Sequence, residues 1–214
     1  MTEYGCLVIK PDAYIRGISN EILNELKIIC RNRRIEILVV KKKTLDQADI
    51  KFIYPHIITK PFFSDFVLLM QRPESTLIFM KGEKGLNRTL KQIRGSRGTI
   101  LGDPSNGIRG KYCSIIVDIT SDDIKKWEQG IHPNQKDMSK KMICNVIHSS
   151  DTEIEAIRTL LIFTRFNERF ALFWNNPHIL CGLLRESIKK AVLEKKTKQP
   201  FNFFNFQYFI SQDY

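Results

Sequence analysis

The order of apolar segments along the 214-residue chain constrains its fold more than any other feature. Four short segments rich in apolar and β-branched residues predict buried strands: residues 5–10, 35–42, 75–81 and 142–148. The segments between them carry apolar residues every three or four positions, which is typical of amphipathic helices. The order strand–helix–strand, helical insert, strand–helix–strand, helix predicts an α+β fold: a ferredoxin-like βαββαβ sandwich with an antiparallel four-stranded sheet.

Helix starts and loops follow from local composition. Ser19 is predicted to cap the first helix, and residues 44–47 (Thr-Leu-Asp-Gln) have a capping-box pattern that predicts the start of the next helix. Further helices are predicted over residues 63–71, 86–93 and 151–163. Residues 94–110 are rich in Gly and Arg and are predicted to form a loop.

Two regions lie outside this unit. Residues 1–164 are predicted to form the main domain, interrupted at about 118–141 by a polar insertion or mobile excursion that carries Trp127. Residues 165–214 are predicted to form a C-terminal extension with an amphipathic helix over 183–194 and an aromatic tail over 201–209. An exposed aromatic tail would favour aggregation, so we expect it to dock on the body, on another subunit or on a protein partner.

Charge and cysteine content limit the class of protein. The net charge of +11, from 34 Lys and Arg against 23 Asp and Glu, favours anionic partners such as nucleotides, nucleic acid or acidic surfaces. Apolar runs are too short to span a membrane. The N-terminus lacks a secretory signal pattern, and the five cysteines form no C-x-x-C pair. These features predict reduced thiols, no structural metal site and a cytoplasmic location.

His148 is the first candidate for chemistry, because it ends a predicted strand just before the polar segment Ser149-Ser150-Asp151. A neutral imidazole nitrogen can accept a phosphoryl group and release it near neutral pH. A single histidine after an apolar strand is more often structural, so the surrounding residues must decide. Cations for phosphate binding are Lys10, Arg109 and the arginines of the Gly-rich segment, although such arginines also occur in solvated basic loops.

Four motifs in order resemble the nucleoside diphosphate kinase family over residues 4–163. They are Leu-Val-Ile-Lys-Pro-Asp at 7–12 with Arg16-Gly17, Tyr54 before Pro-Phe-Phe at 61–63, Ile-Arg-Gly at 108–110, and Asn-Val-Ile-His-Ser-Ser-Asp at 145–151. The resemblance implies the nucleoside diphosphate kinase fold and a ping-pong kinase. In such an enzyme His148 takes the γ-phosphate from a nucleoside triphosphate and passes it to a nucleoside diphosphate.

The resemblance also implies roles for other residues. Lys10 would contact the transferred phosphate and the ribose, and Phe62 would stack on the base. Tyr54, Arg94, Thr99 and Arg109 would line the phosphate end, Asn145 would touch the sugar, and Ser150 would support the histidine. Mg²⁺ would arrive with the nucleotide, without a dedicated set of protein ligands. The family also implies a homo-oligomer. Without the resemblance, core packing accounts equally well for Tyr54 and Phe62, and turn or helix capping accounts for Asn145 and Ser150.

The chain departs from the family pattern at three points. Thr159 stands where the family has a glutamate that orients the histidine, which predicts slower catalysis. Glu155, one turn earlier, could substitute, but we expect it to be a solvated surface charge. The phosphate-binding arginine is either Arg94 or Arg97. Arg109 and Asn145 are separated by many more residues than in the family, which puts the usual hexameric assembly in question.

Two alternative functions remain open at this stage. A divergent member could keep the nucleotide pocket but transfer phosphate weakly, and serve as a scaffold subunit of a larger assembly. Thr159, the insertion and the aromatic tail favour that alternative. A nucleic-acid-binding module, suggested by the positive charge, ranks last because no ordered aromatic and basic face is evident.

Overall fold

A four-stranded antiparallel sheet lies at the centre of the computed structural model, which describes residues 2–71, 73–96, 104–113 and 121–179. Its strands within these residues are β1 (Thr2–Ile9), β2 (Glu36–Lys43), β3 (Ser75–Glu83) and β4 (Ile147–Ser149). The strand order is β2-β3-β1-β4 and every pairing is antiparallel. The predicted α+β fold and its antiparallel sheet are confirmed.

The register of the two central pairings sets the position of the histidine. β1 pairs along its whole length with β3, from Thr2 opposite Glu83 to Ile9 opposite Thr76. Its other edge pairs only with the short β4, where His148 lies opposite Val8. The histidine is therefore held beside the carboxyl end of β1, opposite a residue that precedes Lys10 by two positions.

Helices cover both faces of the sheet. The α-helices of the described residues are α1 (Pro11–Ile15), α2 (Ser19–Asn32), α3 (Gln47–Ile53), α4 (Phe63–Met70), α5 (Leu86–Arg94), α6 (Gly107–Tyr112), α7 (Ser121–Gln129), α8 (Gln135–Ile143), α9 (Glu153–Phe163) and α10 (Phe166–Asn175). Leu7 and Ile9 of β1 pack with α2, α5 and α6 on one face. Cys6 and Val8 pack with α3, α4, α8 and α9 on the other. The alternation of side chains along a strand explains why β1 is apolar on both faces.

The start of α3 differs from the predicted capping box at Thr44. Asp46 is the N-cap: its side chain accepts a hydrogen bond from the Asp49 amide at 2.8 Å, and the Asp49 carboxylate accepts one from the Asp46 amide at 3.2 Å. Two aspartates thus form the reciprocal pair that the sequence pattern assigned to Thr44 and Gln47. An aspartate carboxylate is as good an N-cap acceptor as a threonine hydroxyl. Thr44 and Asp46 were therefore both possible N-caps for α3.

The predicted strand over residues 142–148 is wrong in its first half. Met142 and Ile143 end α8, and β4 begins only at Ile147. A short apolar run has no periodicity that separates a strand from the buried face of a helix. Between the two elements the chain turns sharply at Val146, whose φ of 56° lies in the left-handed region. For a β-branched residue this conformation is strained.

The Gly-rich segment and the insertion also contain helices. Residues predicted as a loop over 94–110 include a 3-10 turn at Pro104–Asn106 and the start of α6. The described part of the insertion forms α7 and most of α8, and it buries Trp127 and Met138 in the core. These helices and buried side chains favour the insertion over the mobile excursion.

The C-terminal extension is described as far as residue 179. Its first helix, α10, packs Leu172 and Phe173 against the core, and Glu168 pairs with Lys41 of β2. The predicted helix over 183–194 and the aromatic tail lie outside the described residues. No helix in the described part of the chain is long and apolar enough to cross a membrane.

Candidate active site

His148 contacts a carboxylate from the helix that follows it. The His148 Nε2 lies 2.8 Å from the Oε1 of Glu155, and both side chains are largely buried. The second Glu155 oxygen accepts a hydrogen bond from the Asp151 amide at 2.8 Å, and the Glu155 amide donates to the Thr152 hydroxyl at 3.2 Å. The first turn of α9 therefore fixes the carboxylate against the imidazole.

This contact decides which ring nitrogen is free to react. A carboxylate only accepts hydrogen bonds, so Nε2 of a neutral His148 carries the proton and Nδ1 keeps its lone pair. Burial lowers the pKa of His148 below its usual value, although the hydrogen bond to Glu155 raises it in part. Burial raises the pKa of Glu155, but the contact with His148 outweighs this and the net shift is downward. At neutral pH the pair is therefore a neutral imidazole beside an ionised carboxylate.

Thr159 occupies the position where a glutamate was expected. It is fully buried, and its hydroxyl donates to the Glu155 carbonyl at 2.7 Å. Since Glu155 already reaches the imidazole from one turn earlier, the expectation that it is a solvated surface charge is wrong. The sequence contained the signal: Thr152 followed three residues later by Glu155 is a capping-box pattern. That pattern directs the glutamate back toward the start of α9 and the end of β4.

Two buried cations meet at the side chain of Asn145. Lys10 Nζ donates to Asn145 Oδ1 at 2.8 Å and to the Ile143 carbonyl at 2.6 Å. Arg109 Nη2 donates to the same Asn145 oxygen at 3.2 Å and to the Ile147 carbonyl at 2.9 Å. Both side chains are 4% exposed. Burial lowers the pKa of Lys10 to about 8, a shift that nearby Asp12 opposes and Arg109 reinforces.

Asp12 fixes the strained turn that leads into β4. Its carboxylate accepts a hydrogen bond from the Val146 amide at 2.9 Å, while the Val146 carbonyl accepts one from the Lys10 amide at 2.9 Å. A left-handed β-branched residue costs on the order of 1–3 kcal/mol and persists only where its surroundings hold it. These two bonds tie the turn before His148 to the end of β1. The sequence motif contained Asp12, but it was given no role.

The predicted aromatic residues lie on the face of the sheet that carries His148. The Tyr54 ring meets the His148 ring edge-on, with centroids 5.1 Å apart, and also contacts Phe66. Phe62 is stacked on Trp127 with centroids 4.0 Å apart and the rings 17° from parallel. Both residues of this stack are buried. Trp127 was not predicted to contact any site residue.

Close backbone packing joins the helices that carry Arg94 and Arg109. Gly107 has φ +68°, and a Cβ there would lie 2.4 Å from the Ile93 carbonyl oxygen. The end of α5 and the start of α6 can therefore meet only through glycine. Arg94 Nε donates to the Gly95 carbonyl at 3.1 Å. Arg97 and Thr99 lie outside the described residues, so the choice between the two arginines stays open.

Ser150 links β1 to α5 beneath the histidine. Its hydroxyl accepts a hydrogen bond from the Cys6 amide at 3.0 Å and donates one to Asn87 Oδ1 at 2.8 Å. The adjacent Ser149 is also fully buried, and within the described residues its hydroxyl has no hydrogen-bond partner. Ser150 thus holds the strand end that leads from His148 into α9.

The site combines the neutral imidazole of His148 with the carboxylate of Glu155, which can compensate positive charge that develops on the ring during a reaction. Two cations, Lys10 and Arg109, lie next to the same strand. Such a set can attack a phosphorus centre and stabilise the negative charge of the departing oxygen. Within the described residues no group of three or more His, Cys, Asp or Glu side chains is arranged to hold a metal ion. This set of side chains is suited to phosphoryl transfer through the histidine.

Comparison with known proteins identifies one family from sequence, and solved structures of that family share the fold of this chain. The family model described as nucleoside diphosphate kinase matches residues 3–169. The nucleoside diphosphate kinase of Streptomyces coelicolor is 26% identical over 163 residues, which covers 76% of this chain and 96% of the relative. A solved structure of the Borrelia burgdorferi enzyme, a transition state mimic with bound vanadate and ADP, superposes with a TM-score of 0.58 at 17% identity. It covers 78% of this chain and 89% of its own. The Aquifex aeolicus enzyme gives a TM-score of 0.53 at 19% identity over 78% and 99% of the two chains.

Proposed function

The chain belongs to the nucleoside diphosphate kinase family, and from this premise we propose that it transfers the γ-phosphate of a nucleoside triphosphate to a nucleoside diphosphate through phosphohistidine at His148. The observation that carries the proposal is the 2.8 Å contact between His148 Nε2 and Glu155 Oε1. This contact leaves Nδ1 of a neutral, partly exposed ring as the nucleophile.

The first half-reaction makes one bond and breaks one. The Nδ1 lone pair attacks the γ-phosphorus, the bond from that phosphorus to the β–γ bridging oxygen breaks, and the nucleoside diphosphate leaves with the electron pair. The ring keeps its proton on Nε2 and gains positive charge, which the Glu155 carboxylate compensates. In the second half-reaction a terminal oxygen of another nucleoside diphosphate attacks the same phosphorus. The N–P bond then breaks and the neutral imidazole returns.

Lys10 and Arg109 are the proposed phosphate-binding cations. With a pKa of about 8, Lys10 is mostly protonated at neutral pH, and Arg109 stays charged at any physiological pH. Both are held against Asn145, which joins them to the turn before β4. Buried cations that need not move far stabilise developing charge more effectively than mobile surface lysines.

The remaining proposed roles follow the family pattern. Tyr54, whose ring meets the His148 ring edge-on, lines the phosphate end of the pocket. Thr99 and one of the two arginines, Arg94 or Arg97, serve the β-phosphate, and Phe62 serves the base. Lys10 and Arg109, the described cations of the site, suit phosphate oxygens rather than a metal ion, which fits a nucleotide whose phosphates would hold Mg²⁺. When bound, the ion would neutralise phosphate charge. We propose a homo-oligomer that acts on cytoplasmic nucleotides.

A coupled transfer assay tests the proposal. The purified chain is given ATP and a diphosphate of a different base, and formation of the new triphosphate is followed by chromatography. We expect transfer by the native chain and by His178→Ala, which changes an exposed histidine, and none by His148→Ala. Transfer that survives in His148→Ala contradicts the proposal. Nucleotide binding without transfer in the native chain would instead select a scaffold role.

A further inference from the structure

Trp127 covers the ring that is proposed to bind the nucleobase. Trp127 lies in α7, within the insertion, and its ring stacks on Phe62 with centroids 4.0 Å apart and an interplanar angle of 17°. Phe62 is 6% exposed and Trp127 is 3% exposed. A base needs an accessible ring face of about its own area in order to stack. Phe62 offers no such face while Trp127 lies on it.

Specific contacts hold Trp127 in this position. Its indole N–H donates to the Ser139 hydroxyl at 3.0 Å, and its carbonyl accepts a hydrogen bond from the Gln135 side chain at 2.9 Å. Ser139 and Gln135 belong to α8, so the two helices of the insertion brace the indole together. Because the indole is buried and its N–H is hydrogen-bonded, its position on Phe62 is well defined.

The chain between α7 and α8 also fits the corner that carries Phe62. Gly130 has φ +77°, and a Cβ on it would lie 2.7 Å from the Pro61 side chain. Only glycine allows both this conformation and this approach. The insertion thus contacts this corner at two places: Gly130 lies against Pro61, and Trp127 lies on Phe62.

Helix α8, most of which lies in the insertion, also contacts the phosphate end of the site. The carbonyl of Ile143, the last residue of α8, accepts a hydrogen bond from Lys10 Nζ at 2.6 Å. One pair of helices therefore engages both the aromatic ring proposed for the base and a cation proposed for the phosphates. A displacement of these helices would therefore change the contacts of both Phe62 and Lys10.

We propose that Trp127 occupies the nucleobase subsite as a built-in competitor and so sets how well the site binds nucleotides relative to base-free polyphosphates. The proposal rests on the proposed function, because it takes Phe62 as the base-stacking residue. A nucleotide must displace Trp127 before its base can stack. A base-free polyphosphate can bind the cations with Trp127 still in place. The affinity for nucleotides is then reduced by the fraction of molecules in which Trp127 is stacked.

Fluorescence can follow this displacement directly. The chain has two tryptophans, and Trp174 is 77% exposed on α10, so Trp174→Phe leaves Trp127 as the reporter. We expect ADP to shift Trp127 emission to longer wavelength and to make it accessible to acrylamide. Tripolyphosphate should compete with ADP for binding and leave the emission unchanged. ADP binding, measured by calorimetry, without a change at Trp127 would overturn the proposal, as would the same change with tripolyphosphate.

Substitution of Trp127 gives an independent test. Trp127→Ala should raise ADP affinity on the order of tenfold and leave tripolyphosphate affinity unchanged, while Trp174→Ala should change neither. Ser139→Ala, which removes only the indole hydrogen bond, should shift ADP affinity in the same direction by less. Weaker ADP binding by a folded Ser139→Ala or Trp127→Ala variant overturns the proposal.

The two proposals fail in different ways. If His148 becomes phosphorylated and ADP binds while Trp127 stays stacked, only the competitor role is wrong. If neither the native chain nor Trp127→Ala binds ADP, the nucleotide site itself is absent and both proposals are wrong.

Discussion

Glu155 reaches His148 from the first turn of α9, with Oε1 2.8 Å from Nε2, while Thr159, one turn later, is buried and bonded to the Glu155 carbonyl. The carboxylate that contacts the imidazole therefore comes from one helical turn before Thr159, the position where a glutamate was expected. The contact is possible because Glu155, the third residue of α9 after the N-cap Thr152, bends back to accept a hydrogen bond from the Asp151 amide.

Glu155→Gln should lower kcat/KM by roughly 10- to 100-fold, the usual cost of losing an outer carboxylate that orients a reactive histidine. The amide still accepts from Nε2 but no longer compensates charge on the ring. Because Glu155 raises the pKa of His148, the acid limb of the pH profile should also move to lower pH. Glu153→Gln, on the same helix, is the matched control. An unchanged acid limb in Glu155→Gln would contradict the role.

Thr159→Glu should not improve the enzyme. Position 159 is fully buried and faces Glu155 one turn away, so a second carboxylate there would be an uncompensated buried charge. We expect a loss of about 3 kcal/mol in the free energy of unfolding, measured by urea denaturation. The double variant Glu155→Thr, Thr159→Glu should recover part of the transfer rate lost in Glu155→Thr. Faster turnover by Thr159→Glu alone would show that Glu155 does not orient the ring.

The pH profile of kcat/KM should be bell-shaped. The reactive form needs neutral His148, so the rate falls as pH drops through the His148 pKa, which burial lowers below its usual value. It also needs protonated Lys10, so the rate falls again as pH rises through about 8. Lys10→Arg should reduce activity but remove the basic limb, because arginine does not titrate in this range. A basic limb that persists in Lys10→Arg would assign it to another group.

Two adjacent serines should differ in their effect on stability. Ser150→Ala leaves the buried Cys6 amide without its acceptor and should cost about 1–3 kcal/mol in the free energy of unfolding. Ser149→Ala removes a buried hydroxyl that has no partner among the described residues, so it should be neutral within about 0.5 kcal/mol. Chemical denaturation of the two variants checks this pair. Equal losses would contradict the assigned role of Ser150.

The sheet and most of its helices could be predicted because their signals are local. β1 is apolar on both faces and α2 has a clear apolar stripe, and each pattern has one solution. The segment before His148 could not be predicted in the same way. Met142 and Ile143 suit either a helix or a strand, and the choice depends on a turn at Val146 that is held by distant Asp12. No local pattern contains that bond.

The site shows the same division. The family motifs contained His148, Lys10, Arg109 and Asn145. The structure joins Lys10 and Arg109 to Asn145 by hydrogen bonds, and it joins Arg109 to the carbonyl of Ile147, which precedes His148. The motifs did not reveal the contact between Trp127 and Phe62, because a tryptophan in a polar insertion carries no sign of which core residue it will cover. The position of Glu155 was partly predictable. The capping-box pattern of Thr152 and Glu155 is present in the sequence, but Glu155 was predicted to be a solvated surface charge.

Phosphorylation of His148 tests the central claim most directly. The chain is incubated with γ-labelled ATP, and the label is characterised by its acid lability and base stability and then by ³¹P NMR of the phosphohistidine. We predict phosphate on Nδ1, since Glu155 holds Nε2, and no label in His148→Ala. Label on Nε2, or label that persists in His148→Ala, would contradict this claim.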